Sequence, residues 1–328
     1  MIRKRKIAIL LFAFLVTGII RMPVEHALSG ELRDLNLHRE QLDISTREKI
    51  DQTAMAAAIG GMRTLVATFF SLHSYTLFGE QRWDELEQTY HTIVDFAPHT
   101  EYYWQAGAWH LSYNAASYYI HSSGMSPLRR REAWRSFIHR GRDFLERGIR
   151  NNPDDWALHE NLALLLGDPN KLPAFHDRDA CLLKAAASYE KSAELGSFSP
   201  LLMKRLGFYC LARVNGRQKE ALKMARTLYQ NPHNRKPTLN VLLYVLECHA
   251  DPERNVDALA LEIFGDTQKA YDALVAHWQR TREGYPMDGV AKGIASMESR
   301  LGIPIYDSVL AQEPPLPPSL DDWFKNGP

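Results

Sequence analysis

Cysteine is scarce in this chain of 328 residues. The three cysteines, Cys181, Cys210 and Cys248, lie far apart and form no C-x-x-C pair. This spacing argues against a zinc knuckle or a redox pair, and the odd number argues against a fully paired disulfide framework. We therefore expect the cysteines to be small buried side chains on helices.

An excess of one charge is also absent. Lys and Arg total 39 residues, Asp and Glu also total 39, and the sequence pI is about 7.2. Nucleic-acid-binding domains usually carry a basic excess or stripe, so we expect no nucleic-acid partner. Hydrophobic residues make up 45% of the chain, which is enough for a packed core.

Catalytic and cofactor motifs are missing from the sequence. It contains no G-x-x-x-x-G-K-[ST], no H-E-x-x-H and no G-x-S-x-G. Four histidines, His73, His91, His99 and His110, lie near one another in sequence, but they fall on different predicted helices and a turn. We expect these to be ordinary satisfied or exposed side chains. The sequence therefore predicts a protein that is not an enzyme and has no cofactor and no metal.

The N-terminus is a strong signal. The basic stretch MIRKRK leads into an uncharged apolar run, Ile7 to Ile20, and Arg21 and Pro23 follow. This pattern predicts a membrane anchor or signal segment over residues 1–23, with the bulk of the chain on the exported side. Cleavage after Ser29, which would give a secreted form, is the alternative. No N-x-S/T sequon is present, which weakly favours a bacterial source.

The remainder divides into three regions. Residues 24–59 read as a stalk and a leading helix, and the capping-box pattern of Ser45 and Glu48 marks the start of that helix. Gly60 and Gly61 indicate either a close helix contact or a break before the next element. Residues 60–283 alternate helical patterns with short polar turns, and no alternating strand-like run interrupts them. Residues 284–328 contain one more candidate helix and a Pro-rich tail.

The helical region shows a repeat of 34 residues anchored on Pro98. Small and bulky residues recur at the positions of a helix–turn–helix repeat: Phe70, Ser74, Leu77, Leu86, Tyr90 and Ile93. The same phase continues through Trp104, Gly107, Ala108, Leu111 and the segment SYEKSAELG. On these residues the chain resembles the tetratricopeptide repeat (TPR) family over roughly residues 60–250. The segments AIGGMRTLVATFF and APHTEYYWQAGAW also resemble uncharacterised bacterial membrane-anchored TPR proteins.

The resemblance implies an all-α, TPR-like helix–turn–helix solenoid in which the first helix of each pair lines a concave groove. In the aromatic stretch Ala97 to Ile120, Trp104, Ala108, Leu111 and Ala115 should be core. Another face of this helix carries Ser112 and several aromatic residues. By the same offset in each repeat, the predicted groove consists of Tyr75, Tyr102, Gln105, Trp109, Tyr113, Lys204, Phe208, Asn240 and Tyr244. The alternative is that these aromatic residues are simply core.

The function predicted from these features is a non-catalytic, membrane-anchored scaffold or adaptor. It would bind a protein partner in a membrane-associated assembly through its concave groove, because Tyr and Trp are frequent in binding surfaces. An exported receptor that holds a small molecule or glycan in an aromatic cup is the alternative. An exported enzyme would need convergent acidic residues, and none can be singled out in the sequence.

Overall fold

The computed structural model describes residues 62–122, 124–279 and 284–311. These residues are all-helical and contain no β-strand, which confirms the predicted all-α class. The α-helices are α1 Arg63–Gly79, α2 Trp83–Phe96, α3 Glu101–Trp109, α4 Ala116–Ile120, α5 Pro127–Asn151, α6 Trp156–Gly167, α7 Arg178–Glu194, α8 Pro200–Leu211, α9 Gln218–Gln230, α10 Pro237–Ala250, α11 Val256–Phe264, α12 Thr267–Trp278 and α13 Val290–Leu301. A π-helix, His110–Ala115, joins α3 to α4. Short 3₁₀ turns lie at Leu172–Ala174, Pro232–Asn234, Ile305–Asp307 and Val309–Ala311.

The chain divides into two compact units. Unit 1 comprises residues up to Tyr119 together with Glu132–Asn161, and unit 2 comprises Ile120–Arg131 together with residues from Leu162 onward. The boundaries fall within α4, α5 and α6. We had expected one continuous repeat domain over residues 60–283, and the two units are therefore described separately.

The described part of unit 1 starts with a hairpin of α1 and α2. Ala67, Ser74 and Leu77 form the buried side of α1, which packs against α2. Four residues predicted to be core are confirmed as buried: Trp104, Ala108, Leu111 and Ala115. Gly148 of α5 lies against the Trp104 indole, and a Cβ atom at this position would come within 3.0 Å of that ring. The absence of a side chain thus allows α5 and α3 to approach closely.

Unit 2 is built around α10. This helix packs against α9, α11 and α12. It carries apolar side chains on nearly all sides, as expected for a helix that its neighbours cover. Pro237 occupies its first turn, where the missing N–H costs no helical bond. The side chains of Asn255 and Asp266 cap α11 and α12 by accepting backbone N–H bonds. Each helix thus begins at a residue suited to its position.

The core of unit 2 continues past residue 283, where we had placed the end of the helical domain. The sequence pattern indicated one more helix there, and α13 occupies Val290–Leu301. Its Val290, Ile294 and Met297 are fully buried in the same core as α10 and α12. This segment is therefore part of the packed unit.

The predicted anchor (1–23), stalk and leading helix (24–59), and most of the Pro-rich tail (312–328) lie outside the described residues. In the described portion no helix is long and apolar enough to cross a membrane. The described chain begins at Met62, whose backbone is not helical (φ −86°, ψ 20°), and α1 starts at Arg63. Gly60 and Gly61, for which both a close helix contact and a break were considered, lie outside the described residues.

Candidate functional site: an aromatic surface on unit 1

Five of the predicted groove residues lie on α1, α3 and the π-helix of unit 1: Tyr75, Tyr102, Gln105, Trp109 and Tyr113. We call this set the aromatic surface. Three of its rings are well exposed: Tyr75 at 65%, Tyr102 at 55% and Trp109 at 47%. Gln105 and Tyr113 are partly exposed. In the part of the chain that the structure describes, these three aromatic rings are therefore surface residues and not core.

Trp109 and Tyr113 form a stacked pair at the end of α3. Their ring centroids are 4.2 Å apart and the rings are inclined by only 18°. Stacking of this kind is favourable and holds both rings in one orientation. Because the two rings are already ordered, binding of a partner would cost less of their side-chain entropy than binding to two mobile rings would.

A π-helix forms the end of this surface that carries Tyr113. The N–H of Ala116 donates to the carbonyl of Leu111, an i to i−5 bond that adds one residue to the turn. We had placed Ser112 on the aromatic face by ordinary helical spacing. That placement is wrong: Ser112 is buried, Gly141 of α5 lies against it, and its hydroxyl donates to the Ala108 carbonyl at 2.6 Å. Such π-bulges occur often at functional sites.

Tyr75 and Tyr102 connect α1 to α3 at the other end of the surface. Their phenol groups share a hydrogen bond, which raises the pKa of Tyr102. The ring of Tyr102 also meets the edge of Tyr103, with centroids 5.7 Å apart. Tyr102 and Trp109 are seven residues apart, so they lie on one face about 10 Å from each other along the axis.

A partly buried aromatic layer of Phe78, Tyr90 and His110 lies next to this surface. The ring of His110 lies 5.0 Å from Phe78 and 5.6 Å from Tyr90, measured between centroids. Burial lowers the pKa of His110, and burial raises the pKa of Tyr90 to about 12. Asn114 bonds the imidazole Nδ1 of His110 at 3.0 Å. These contacts fix α3 against α1 and α2, so the exposed rings stand on a packed base.

A ladder of ion pairs between α2 and α5 was not predicted. Arg140 contacts Asp84 at 2.7 Å and Glu87 at 3.0 Å, and Arg147 contacts Asp95 at 2.6 Å. The signal was available, because Asp84 and Glu87 lie three residues apart on α2, Asp95 follows eight residues later, and the two arginines lie seven apart.

The remaining predicted groove residues lie in unit 2 and form no such surface. Phe208 and Tyr244 are fully buried in its core, so they are removed from the candidate site. Lys204 is exposed on α8. Asn240 is partly buried on α10, and its side-chain oxygen has no hydrogen-bond partner among the described residues.

The clustered histidines of unit 1 have separate neighbours. The Nδ1 atom of His91 accepts a hydrogen bond from Arg147 at 3.2 Å, His99 meets Asn152 at 3.1 Å, and His73 is exposed. Within the described ranges no group of three or more His, Cys, Asp or Glu side chains has the arrangement of a metal site. The three cysteines are free thiols; Cys210 and Cys248 are buried and Cys181 is partly buried.

Comparison with known proteins gives no relative for this chain. No protein-family model, no curated protein and no solved structure matches it.

Proposed function

We propose that this protein is a non-catalytic scaffold or adaptor that binds a segment of another protein through the aromatic surface of unit 1. The observation that supports this most is the exposure of Tyr75, Tyr102 and Trp109 on one fixed helical framework. Trp and Tyr are the residues most enriched among those that dominate protein–protein binding energy. Large exposed aromatic groups on a monomer surface commonly mark such contacts.

The shape of the surface favours a protein segment over a small ligand. A small-molecule site buries most of its ligand in a concave pocket. The three exposed rings here each leave about half or more of their area open to solvent, which is typical of a surface that a chain crosses. The phenol groups of Tyr75 and Tyr102 and the amide of Gln105 would supply hydrogen bonds at its edge.

We further propose that the helices are diverged TPR-like repeats. Support comes from the hairpin of α1 and α2, which spans the first predicted unit, and from Trp104, Ala108 and Leu111, which pack at the expected core positions. The protein would act at a membrane, with its helical units on the exported side. The basic and then apolar N-terminal sequence supports this location.

The experiment is a crosslinking pull-down from native membranes with three forms of the full chain. Wild type is compared with Trp109→Ala/Tyr113→Ala and with Tyr306→Ala, which removes an exposed aromatic ring of unit 2. Thermal melts establish that each variant folds. The proposal predicts a protein partner that is lost from the double variant and kept by Tyr306→Ala. If the double variant melts normally and keeps every partner, the aromatic surface is not the binding site.

A further inference from the structure

The helix α1 carries an exposed apolar stripe. Its residues Leu65, Phe69 and Leu72 are 68%, 69% and 63% exposed. At the usual helical rotation per residue, the three side chains lie within about 60° of the helix circumference. The buried residues Ala67 and Ser74 lie on the opposite side, where α1 packs against α2. The stripe is therefore a narrow seam that points away from the helices of unit 1.

Charged residues are nearly absent from α1. No Asp, Glu, Lys or Arg occurs in the range Thr64–Gly79. Arg63, just before this range, turns toward α2 and donates to the backbone carbonyl of Asp95 at 3.2 Å. The exposed positions of α2, in contrast, are all polar or charged: Asp84, Glu85 and Gln88. An exposed apolar seam of three large side chains is more than the scattered apolar residues of an ordinary surface.

The side chains around the stripe are ordered and need no water. The hydroxyl of Thr68, next to Phe69, donates to the backbone carbonyl of Thr64 at 2.8 Å. Because this hydroxyl is already bonded within the helix, covering it leaves no donor unpaired. The ring of Phe69 meets Phe70 edge-on, with centroids 6.1 Å apart, and Phe70 stacks on Phe96 of α2. The stripe thus has a fixed base for a contact.

The width of the stripe fits one helix. Leu65, Phe69 and Leu72 follow the i, i+4, i+7 spacing of the core positions of a coiled coil, which gives a narrow seam. A helix that lies on a membrane has a broader apolar face and a polar side rich in Lys and Arg. The range Thr64–Gly79 contains neither Lys nor Arg. The spacing and the missing charge therefore favour a second helix over a lipid surface.

The order of residues in the stripe is suited to a second copy of the same helix. Phe69 has a leucine four residues before it and another three residues after it. In a twofold-symmetric contact the same patch is used on both copies. If two copies of α1 pair antiparallel about Phe69, Leu65 of each copy faces Leu72 of the other and the two Phe69 rings adjoin. Apolar side chains then meet apolar side chains, and no like charges are brought together.

The area of the stripe determines how tightly two copies associate. Three large side chains that are about two-thirds exposed offer roughly 350 Å² per copy. A stable interface of standard size buries about 800 Å² per partner. We therefore expect a weak dimer whose population rises with protein concentration.

We propose that two copies of the chain associate through the stripe on α1, with the two helices antiparallel and the twofold axis at Phe69. The proposal does not depend on the proposed function. Tyr75, the residue of α1 that belongs to the aromatic surface, lies about 80° around the axis from Leu65, toward Tyr102 of α3. Each dimer would carry two aromatic surfaces, one on each copy.

Sedimentation of the full chain in detergent, over a wide range of concentrations, tests whether the stripe holds the dimer. Phe69→Glu should raise the dissociation constant at least about tenfold, because it brings two like charges together at the axis. Gln88→Glu adds the same charge at an exposed position of α2 and should change the constant by less than about twofold. A chain that stays monomeric at every concentration, or a dimer that Phe69→Glu leaves intact, would overturn the proposal.

Disulfide formation between copies tests their orientation. All forms carry Cys181→Ser, since Cys181 is the native thiol that is partly exposed. A mixture of Leu65→Cys and Leu72→Cys should form an interchain disulfide at least about tenfold faster than either variant alone, because the two Cβ atoms must come within about 4 Å. In the antiparallel pair the two copies of Leu65 are eight residues, or about 12 Å, apart along the axis.

Two outcomes of the disulfide experiment would contradict this geometry. Faster pairing of each cysteine variant with itself than with the other would indicate parallel helices. No crosslink in any mixture, together with protection of Leu72→Cys from thiol labelling by phosphatidylcholine vesicles, would identify the membrane as the occupant. Thermal melts show whether each variant folds, and the cysteine pairs test the proposal even if Phe69→Glu does not fold.

Discussion

The two units differ in the exposure of similar aromatic residues. In unit 1, Tyr102 and Trp109 of α3 stand at the surface, whereas in unit 2 Phe208 of α8 and Tyr244 of α10 are fully buried. All four were assigned to one groove by the same offset in successive repeats. Their sequence positions therefore do not decide their exposure.

The number of neighbouring helices explains the difference. Tyr244 lies on α10, which α9, α11 and α12 contact, and Gly293 of α13 leaves room for its phenol ring. The outer face of α3 has no comparable cover among the described residues. An aromatic side chain becomes core where a further helix crosses it, and it stays available to a partner where none does.

The largest expected effect contrasts two tyrosines. Tyr244→Ala should lower the free energy of unfolding by about 3–5 kcal/mol, because it empties a closed core position. Tyr102→Ala should lower it by about 1 kcal/mol or less, since its ring is mostly exposed. Chemical denaturation of both variants measures this difference. Similar losses in the two variants would remove the distinction between the units.

A glycine substitution tests how Tyr244 is accommodated. A Cβ atom at position 293 would lie 2.5 Å from the Tyr244 hydroxyl and 2.8 Å from Leu274, so Gly293→Ala should cost about 1–3 kcal/mol. Gly79→Ala at the end of α1 meets open space and should be neutral or stabilising by up to about 1 kcal/mol. Thermal melts of both variants measure these changes. If Gly293→Ala is neutral, α13 packs less closely against Tyr244 and Leu274 than the structure shows.

Acid should weaken unit 2 through Glu247. This carboxylate accepts hydrogen bonds from Arg226 and Arg254 at 2.7 Å, and the bond from Arg226 contributes most to lowering its pKa. A lowered folded-state pKa stabilises the protein above the ordinary Glu value of about 4.5, and this stability is lost as the pH falls through the lower value. Glu247→Gln should cost about 1–3 kcal/mol at neutral pH and reduce the acid dependence.

The control for Glu247 is Glu262, a more exposed acid that also lies near Arg254. Glu262 lies 3.8 Å from Arg254 at the surface, so Glu262→Gln should change stability by less than about 0.5 kcal/mol. Urea unfolding between about pH 7 and pH 3 compares the two variants. Equal acid dependence in wild type and Glu247→Gln would assign the sensitivity to other groups.

The stability of unit 1 should depend on pH in a higher range than that of Glu247, and this effect should be the smallest of those predicted here. Burial lowers the pKa of His91 most, the nearby positive charge of Arg147 lowers it further, and the carboxylate of Asp95 opposes this shift. Burial also lowers the pKa of His110. Folded-state values below the ordinary 6.5 mean that the unfolded chain takes up protons first. Stability is therefore complete above about pH 6.5 and declines as the pH falls below it.

Hydrogen exchange at about pH 7.5 and pH 5.5, corrected for intrinsic rates, resolves this change by helix. We expect α2 and α3 to lose protection at the lower pH, and less so in His91→Gln/His110→Gln. His73→Gln, at an exposed position of unit 1, is the matched control. Unchanged protection of α2 and α3 at pH 5.5 in wild type would contradict the prediction.

The sequence allowed the helical class and part of the site to be predicted. Helical spacing correctly placed Trp104, Ala108 and Leu111 in the core, but it left open whether Tyr102 and Trp109 belong to a groove or to the core. It misplaced Ser112, which Gly141 of α5 approaches closely, because a contact with a distant helix leaves no local pattern. It misplaced Phe208 and Tyr244 because a period along one helix does not show how many helices will cover it.

Site-specific photocrosslinking tests most directly whether unit 1 carries the binding surface. Gln105, between Tyr102 and Trp109, is replaced by p-benzoylphenylalanine in the full chain, and Tyr306 of unit 2 is replaced in a parallel form. We expect a discrete protein adduct from position 105 that disappears when Trp109→Ala is added, and no such adduct from position 306. No adduct from position 105, or one that persists without Trp109, would contradict the claim.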